Sequence, residues 1–394
     1  MKCRTEQLKS CRVEKLMRTE TFLEKLKSYN IFDYDFKLVL MLIALSCIGV
    51  MAVGSADPSY KKKQIVGIML GIFMMIFISI LDYVFICKFY IIYYILNLAV
   101  LALVFTPLSH SVKGATRWIT ILGVQFQPSE ASKILLILFF SAFIMKYKDK
   151  VKKIYFIFIC LGLLIPPLIM IVMQPDLSTT IMLTVIIACI MFSAGISMKF
   201  VITVLGISIP TALLVIFDAL ADKSIILRDY QQRRVLAWLH PEDFASSDAY
   251  QTLNSIMAIG SGQLLGKGYN TNEISSVLNG GFVSESQTDF IFTVVGEEFG
   301  FIGGCAVIVL ILLIALECMV IAGRAKDLTG QLIATGMGAW IGFQGFLNIG
   351  VATGALPNTG IPLPFVSAGL TSLVSCFAGM GFVLNVRLQS KKYF

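Results

Sequence analysis

The chain has 394 residues, of which 57% are hydrophobic and only 14% charged, with a formal net charge of +8. Soluble domains carry about 25% charged residues, so an ordinary water-soluble fold is excluded and lipid is the expected solvent. No nucleic-acid motif accompanies the positive charge, which reads as a topology signal.

Residues 1–36 are basic and lack an apolar core, which argues against a cleavable signal. On a helix, Leu8, Leu16, Phe22, Leu23 and Leu26 form one stripe. That pattern fits a basic amphipathic helix on the inner leaflet; an unstructured orienting tail is the alternative. Apolar runs then recur at about 38–54, 64–81, 89–106, 131–146, 154–174, 178–196, 198–217, 290–322, 330–352 and 364–386. A span needs about 20 residues, so these runs predict ten helices. None alternates like a barrel strand, and the expected fold is an all-α polytopic membrane protein. The 131–146 run is short. The 290–322 run would reach roughly 50 Å against a hydrocarbon core of about 30 Å, so its first turns should leave lipid or line a wet pocket.

Ten spans put both termini on one side, and most of the 32 Lys and Arg residues fall there. The expected topology is a multi-pass protein of the bacterial cytoplasmic membrane with both termini cytoplasmic, although Lys61-Lys62-Lys63 run counter to it. None of the nine cysteines falls in an expected outer loop, so they read as packing residues.

One long loop, 218–289, is expected outside, between spans seven and eight. Its apolar content, with a short amphipathic helix around Ser255-Ile256-Met257-Ala258-Ile259, suggests a segment folded onto the membrane surface as a roof over a cavity. The following Gly260-Ser261-Gly262 and Gly266-Lys267-Gly268 lack the strand and spacing of a phosphate loop and read as tight turns. The loop ends in Thr288-Asp289-Phe290-Ile291-Phe292, a carboxylate at the mouth of an apolar helix. Acids beside a hydrophobic span are costly unless wetted, paired or used.

Other ionisable residues gather at the same outer level: Lys113 and Arg117 after span three, Glu130 and Lys133 opening span four, and Asp176 closing span five. Glu130 and Lys133, three apart, share a helical face. Residues 354–365, Gly-Ala-Leu-Pro-Asn-Thr-Gly-Ile-Pro-Leu-Pro-Phe, join spans nine and ten at this depth. Two histidines and no Cys/His cluster argue against a zinc site or a His-based triad. Basic groups suit pyrophosphate and a carboxylate suits deprotonating a hydroxyl, which points to transfer from a lipid-pyrophosphate donor to an alcohol.

The runs Lys113-Gly-Ala-x-Arg117-Trp118, Gln127-Pro-Ser-Glu130, Gln174-Pro-Asp176-Leu, Ala258-Ile-Gly-Ser-Gly, Gly266-Lys-Gly, Thr288-Asp-Phe-Ile-Phe with Gly296-Glu-Glu, and Thr359-Gly-Ile-Pro-Leu-Pro-Phe resemble the SEDS family (RodA, FtsW, SpoVE). The resemblance runs from about residue 38 to 388, within a membrane domain expected over 37–388 that leaves 389–394 as a cytoplasmic end. The Ala-Ile-Gly-Ser-Gly and Gly-Lys-Gly wording leans towards the RodA branch. Val283-Ser284-Glu285 and Ser367-Ala368-Gly369-Leu370-Thr371 depart from the family's usual Leu-Pro-Glu and Ser-Tyr-Gly-Gly-Ser/Thr.

The resemblance implies a peptidoglycan glycosyltransferase that polymerises lipid II outside the cytoplasmic membrane, with a class B penicillin-binding protein as partner. It implies Asp289 as the essential acid, with Arg117 and Lys133 as basic groups for pyrophosphate. Glu130 would orient Lys133, and Glu297 or Glu298 would shape the cavity or hold a divalent cation (Mg or Mn). Lys113, Asp176 and Glu285 complete the expected substrate-binding set. The rival reading is a lipid II flippase. Transporters place charges at the midplane in broken helices, whereas these charges lie at the outer edge and Pro166-Pro167, the one expected break, has no charge near it.

Overall fold

Aspartates and prolines set several helix boundaries. Asp35 accepts from Leu38 N at 3.2 Å to open α1 (Phe36–Ala56). Asp57 follows that helix and caps α2 (Pro58–Ile80) through Ser59 N at 2.9 Å, with Pro58 preset for the first turn. The computed structural model describes residues 34–107, 109–112, 115–121, 124–221, 224–227, 229–270, 277 and 280–390. The amphipathic stripe expected before residue 34, Lys113 and residues 391–394 lie outside the described residues.

After the short α3 (Tyr83–Cys87) come α4 (Tyr90–Ala102), α5 (Pro128–Lys146), α6 (Ile154–Met173), α7 (Leu177–Ser193) and α8 (Met198–Ala219). Then follow α9 (Asp229–Leu239), α10 (Tyr250–Ser261), α11 (Ile291–Gly323), α12 (Leu328–Ala352) and α13 (Leu370–Ser390). Among the described residues, eight helices are long and apolar enough to cross a membrane. The shorter apolar stretches Tyr90–Phe105 and Leu177–Ser193 occupy the other two expected runs. The last run is displaced: α13 starts at Leu370 rather than 364, because Pro362, Pro364 and left-handed Phe365 (φ 64°) hold the preceding residues out of helix.

The all-α architecture carries one small exception. Strands β1 (Ser109–Val112), β2 (Ala115–Ile121) and β3 (Val124–Phe126) form a three-stranded antiparallel meander between α4 and α5. Pairs such as Ile119 with Phe126 close its ladder, which satisfies main-chain polar groups beside the apolar helices. Strands this short fall below any bilayer-length hydropathy signal.

Glycines let neighbouring helices approach closely. A Cβ on Gly71 of α2 would lie 2.4 Å from the Phe377 ring of α13, and one on Gly338 of α12 would lie 2.8 Å from Cys318 Cβ of α11. Helices α5, α12 and α13 are the most enclosed of the long helices, whereas α8 is the least, with only Ala219 at its end buried among the described residues. Helix α6 runs through Pro166 and Pro167.

The break lies elsewhere. Helix α11 is 33 residues long, but Gly300 inside it has φ 65° and ψ −162°, a conformation open essentially to glycine alone. The overlong run is therefore a half-helix, 291–299, and a separate span, 301–323. In an unbroken helix Phe301 N would donate to Glu297 O and Ile302 N to Glu298 O. Here Phe301 N donates to Gln263 O at 2.8 Å and Ile302 N to Leu264 O at 3.3 Å. Glu297 O and Glu298 O accept instead from Lys267 N at 2.9 Å and Gly268 N at 3.1 Å. The glycine-rich turn after α10 thus crosses the gap and takes over the ladder. A Cβ on Gly266 (φ 81°) would lie 2.0 Å from Glu298 O, which explains glycine there.

Candidate active site

Asp289 is half-buried, between a turn built on Glu285 and the first residue of α11. Glu285 has φ 59°, and its carbonyl accepts from Thr288 N at 3.1 Å and Thr288 Oγ1 at 3.2 Å. The turn is pinned from outside: Ser367 Oγ donates to Thr288 O at 2.6 Å, and Ala368 N donates to Gln287 O at 2.8 Å. Asn348 Nδ2, on α12, donates to Asp289 O and to Ile361 O, both at 2.7 Å. Asp289 Oδ2 lies 3.4 Å from where a Cβ on Gly360 would sit, so glycine at φ 66° keeps that flank of the carboxylate open.

Residues 354–365 are reached from several of the expected site residues through intermediate side chains. Ser178 Oγ, in the first turn of α7, donates to Thr359 O at 2.8 Å. That helix is capped by Asp176, which accepts from Thr179 N at 3.1 Å and Thr179 Oγ1 at 2.9 Å. Arg117, on β2, faces the same cap: Nε donates to Gln174 O at 3.3 Å, Nη2 to Pro175 O, and Nη1 lies 3.8 Å from Asp176 Oδ1. Its side chain keeps 23% exposure, so the guanidinium has an open side. From the long loop, Arg234 Nη1 donates to Asn358 O and Trp238 Nε1 to Gly354 O, each at 3.2 Å.

Lys133 is wholly buried, at 0% exposure. Its Nζ donates to Glu130 Oε1 at 2.7 Å and to Gln344 Oε1 at 2.9 Å, and sits 4.8 Å from the Trp340 ring centroid. Gln344 Oε1 also accepts from Trp340 Nε1 at 2.6 Å, which fixes the amide so that its Nε2 donates to Pro362 O at 2.8 Å. Burying an ammonium is tolerable only when it is paired and hydrogen-bonded, and Lys133 meets both conditions. Gln344 and Asn348, four apart on α12, hold the two halves of the 361–362 backbone.

Glu297 and Glu298 stand apart from this group, at the Gly300 break. Glu297 Oε1 accepts from Lys267 Nζ and Val277 N, both at 2.9 Å, and Glu298 Oε1 accepts from Asn270 N at 3.1 Å and from Ser55 Oγ. Among the described residues, no three His, Cys, Asp or Glu side chains converge as a metal-ligand set. Sequence reasoning missed Gln344, Asn348, Ser178 and Ser367, all uncharged. Two carboxamides one turn apart in an apolar span were a usable signal, because such groups must find partners.

The fold and site define a polytopic helical membrane protein with a half-buried carboxylate, tied to the 354–365 loop through Asn348, and a partly exposed guanidinium held at the Asp176 cap, whose helix bonds the same loop through Ser178. A family profile described as cell cycle protein (FtsW, RodA, SpoVE) matches residues 31–392, and the chain belongs to that family. It is 31% identical over 380 residues to a probable peptidoglycan glycosyltransferase FtsW of Geobacter metallireducens, covering 93% of this chain and 98% of that protein. An Enterococcus hirae protein of the same name is 33% identical over 286 residues, covering 72% and 70%. In structure, the chain is similar to the rod shape determining protein RodA of Thermus thermophilus, with a TM-score of 0.66, 25% identity and coverage of 90% and 96%. It is also similar to a chain from a peptidoglycan synthase complex, with a TM-score of 0.75, 25% identity and coverage of 91% and 99%. The lean towards the RodA branch thus meets FtsW among the sequence relatives and RodA among the structures.

Proposed function

We propose that this multi-pass membrane enzyme is a peptidoglycan glycosyltransferase that extends glycan strands from lipid II. The observation carrying this reading is the half-buried Asp289 carboxylate, whose main chain is clamped to the 354–365 loop while Gly360 leaves its flank open. Asp289 takes the proton from the acceptor sugar's hydroxyl. That oxygen then bonds to the donor's anomeric carbon as the bond to lipid pyrophosphate breaks and the leaving group keeps the electron pair. Arg117, with its open side, meets the developing charge on pyrophosphate, and Asp176 holds it in place. Glu285, in the turn before Asp289, lines the acceptor side. Lys113, two residues before β2, adds charge to the donor side.

Burial gives Lys133 and Glu130 a positioning part: they fix Gln344, and through it the loop facing Asp289. Glu297 and Glu298 anchor the turn that crosses the Gly300 break. The reaction lies at the outer membrane surface with both termini cytoplasmic, and a class B penicillin-binding protein cross-links the product. The similarity to a chain of a peptidoglycan synthase complex supports that partner.

The broken α11 with two acids beside it gives the flippase reading one supporting observation. Its gap, however, is filled by protein main chain rather than by a cavity. Purified protein given lipid II separates the readings when glycan chains and lipid movement across vesicles are scored independently. Asp289→Ala is expected to abolish glycan chains; full polymerisation by that variant would overturn the assignment.

A further inference from the structure

We propose that the end of the bundle opposite Asp289 carries a headgroup site for an anionic phospholipid, with Lys88 and Lys146 as its cationic rim and Thr329 as a neutral donor. Helix α5 runs from Glu130 at the candidate active site to Lys146 at this end, and α12 runs from Thr329 here to Asn348 beside Asp289. Between the start of α4, the end of α5 and the start of α12 lies a cavity of about 270 Å³. Its lining includes both lysines, Tyr90, Cys87, Asp327 and Thr329.

The polar groups here divide into satisfied and available ones. Asp327 is satisfied: Oδ1 accepts from Tyr83 Oη at 2.7 Å and from Gly330 N at 2.8 Å, capping α12. Among the described residues neither lysine has a carboxylate within 4.0 Å; Lys146 Nζ donates to Tyr90 Oη at 2.9 Å, and Lys88 Nζ sits 5.8 Å from the Phe85 ring centroid. Thr329, only 6% exposed, lines the cavity beside them. Burial, then the Asp327 and Asp82 carboxylates, push the Cys87 thiol up to about 12; with the Asp327 carboxylate on the wall, the lysine rim is where an anion would settle.

The occupant is a lipid rather than a free phosphate. Ile91, Ile92 and Ile95 of α4, just beyond the rim, are exposed and apolar, a surface for an acyl chain and not for an inorganic ion. Basic pockets between membrane helices favour phosphodiester headgroups, whereas a zwitterionic headgroup brings its own cation against the lysines.

The test measures lipid retained by the full-length protein in mixed phosphatidylglycerol and phosphatidylcholine micelles, read by native mass spectrometry. Wild type is expected to retain phosphatidylglycerol selectively. The Lys88→Ala/Lys146→Ala double variant should retain it about 30-fold more weakly, the change that about 1 kcal/mol per lysine produces. Lys88→Arg/Lys146→Arg should retain it, which separates lost charge from lost fold. Equal retention by the alanine variant, equal retention of phosphatidylcholine by wild type, or displacement by millimolar inorganic phosphate would each overturn the proposal.

Discussion

Asn348 uses a single amide nitrogen to hold Asp289 O and Ile361 O at the same 2.7 Å distance, tying the carboxylate's main chain to the loop opposite it. Neither carbonyl belongs to a regular ladder, so the tie is a side-chain substitute for secondary structure. It ties the position of the proposed base to α12, a rigid element, rather than to a loop alone.

Asn348→Ala should therefore cost activity beyond its cost in stability. Leaving a buried acceptor unpaired costs about 1–3 kcal/mol. We expect a fall of at least about tenfold in kcat with little change in KM for lipid II, because the base moves while the donor contacts stay. Asn348→Asp lacks the N–H and should fare no better. Steady-state polymerisation kinetics on purified protein check both; an unchanged kcat would refute the clamp.

Lys133→Met should be more damaging to the fold than the double change Lys133→Met/Glu130→Gln. Removing one member of a buried pair strands the other charge, at about 3–5 kcal/mol, whereas removing both removes the stranded charge. Thermal unfolding in detergent would show the single variant melting below the double. The reverse order would mean that the pair is not the buried unit seen at 2.7 Å.

Gly300→Ala should fail to accumulate as folded protein. The added methyl would lie 2.3 Å from Gly266 N in a conformation that alanine rarely adopts. Gly206→Ala in α8, where nothing lies within 4 Å, is the matched control and should be neutral or slightly stabilising. Protease resistance and yield from membranes report both. Normal folding of Gly300→Ala would remove the break as a structural requirement.

Cys87 should alkylate with an unusual pH profile. A thiol pushed up to about 12 is only about 10⁻⁴ thiolate at pH 8, and its reaction rate should climb tenfold per pH unit well past pH 10. A free thiol near 8.5 has already levelled by then. Mass-spectrometric labelling with a maleimide, read as slope against pH, distinguishes the two; a plateau below pH 10 would be the wrong shape.

Much of the architecture is visible in hydropathy, because lipid permits little besides helix, and each expected apolar run contains one. The Glu130–Lys133 pair was readable from its spacing of three, and Asp289 from the cost of an acid beside grease. The Gly300 break was not readable: in an apolar run a glycine signals close packing as readily as a turn, and only φ distinguishes them. The clamp of Gln344 and Asn348 was hidden for another reason. Its partners are main-chain oxygens of a distant loop, which composition does not encode.

The crossing at Gly300 joins two parts of the chain through four main-chain hydrogen bonds, backed by the Glu297 and Glu298 carboxylates. Away from those two carboxylates and the required glycines, substitution of side chains leaves the main-chain part of the join intact. The turn before Asn270 and the span after Gly300 are consequently one mechanical piece, and a pull on the long loop is delivered directly to the membrane-crossing part of α11.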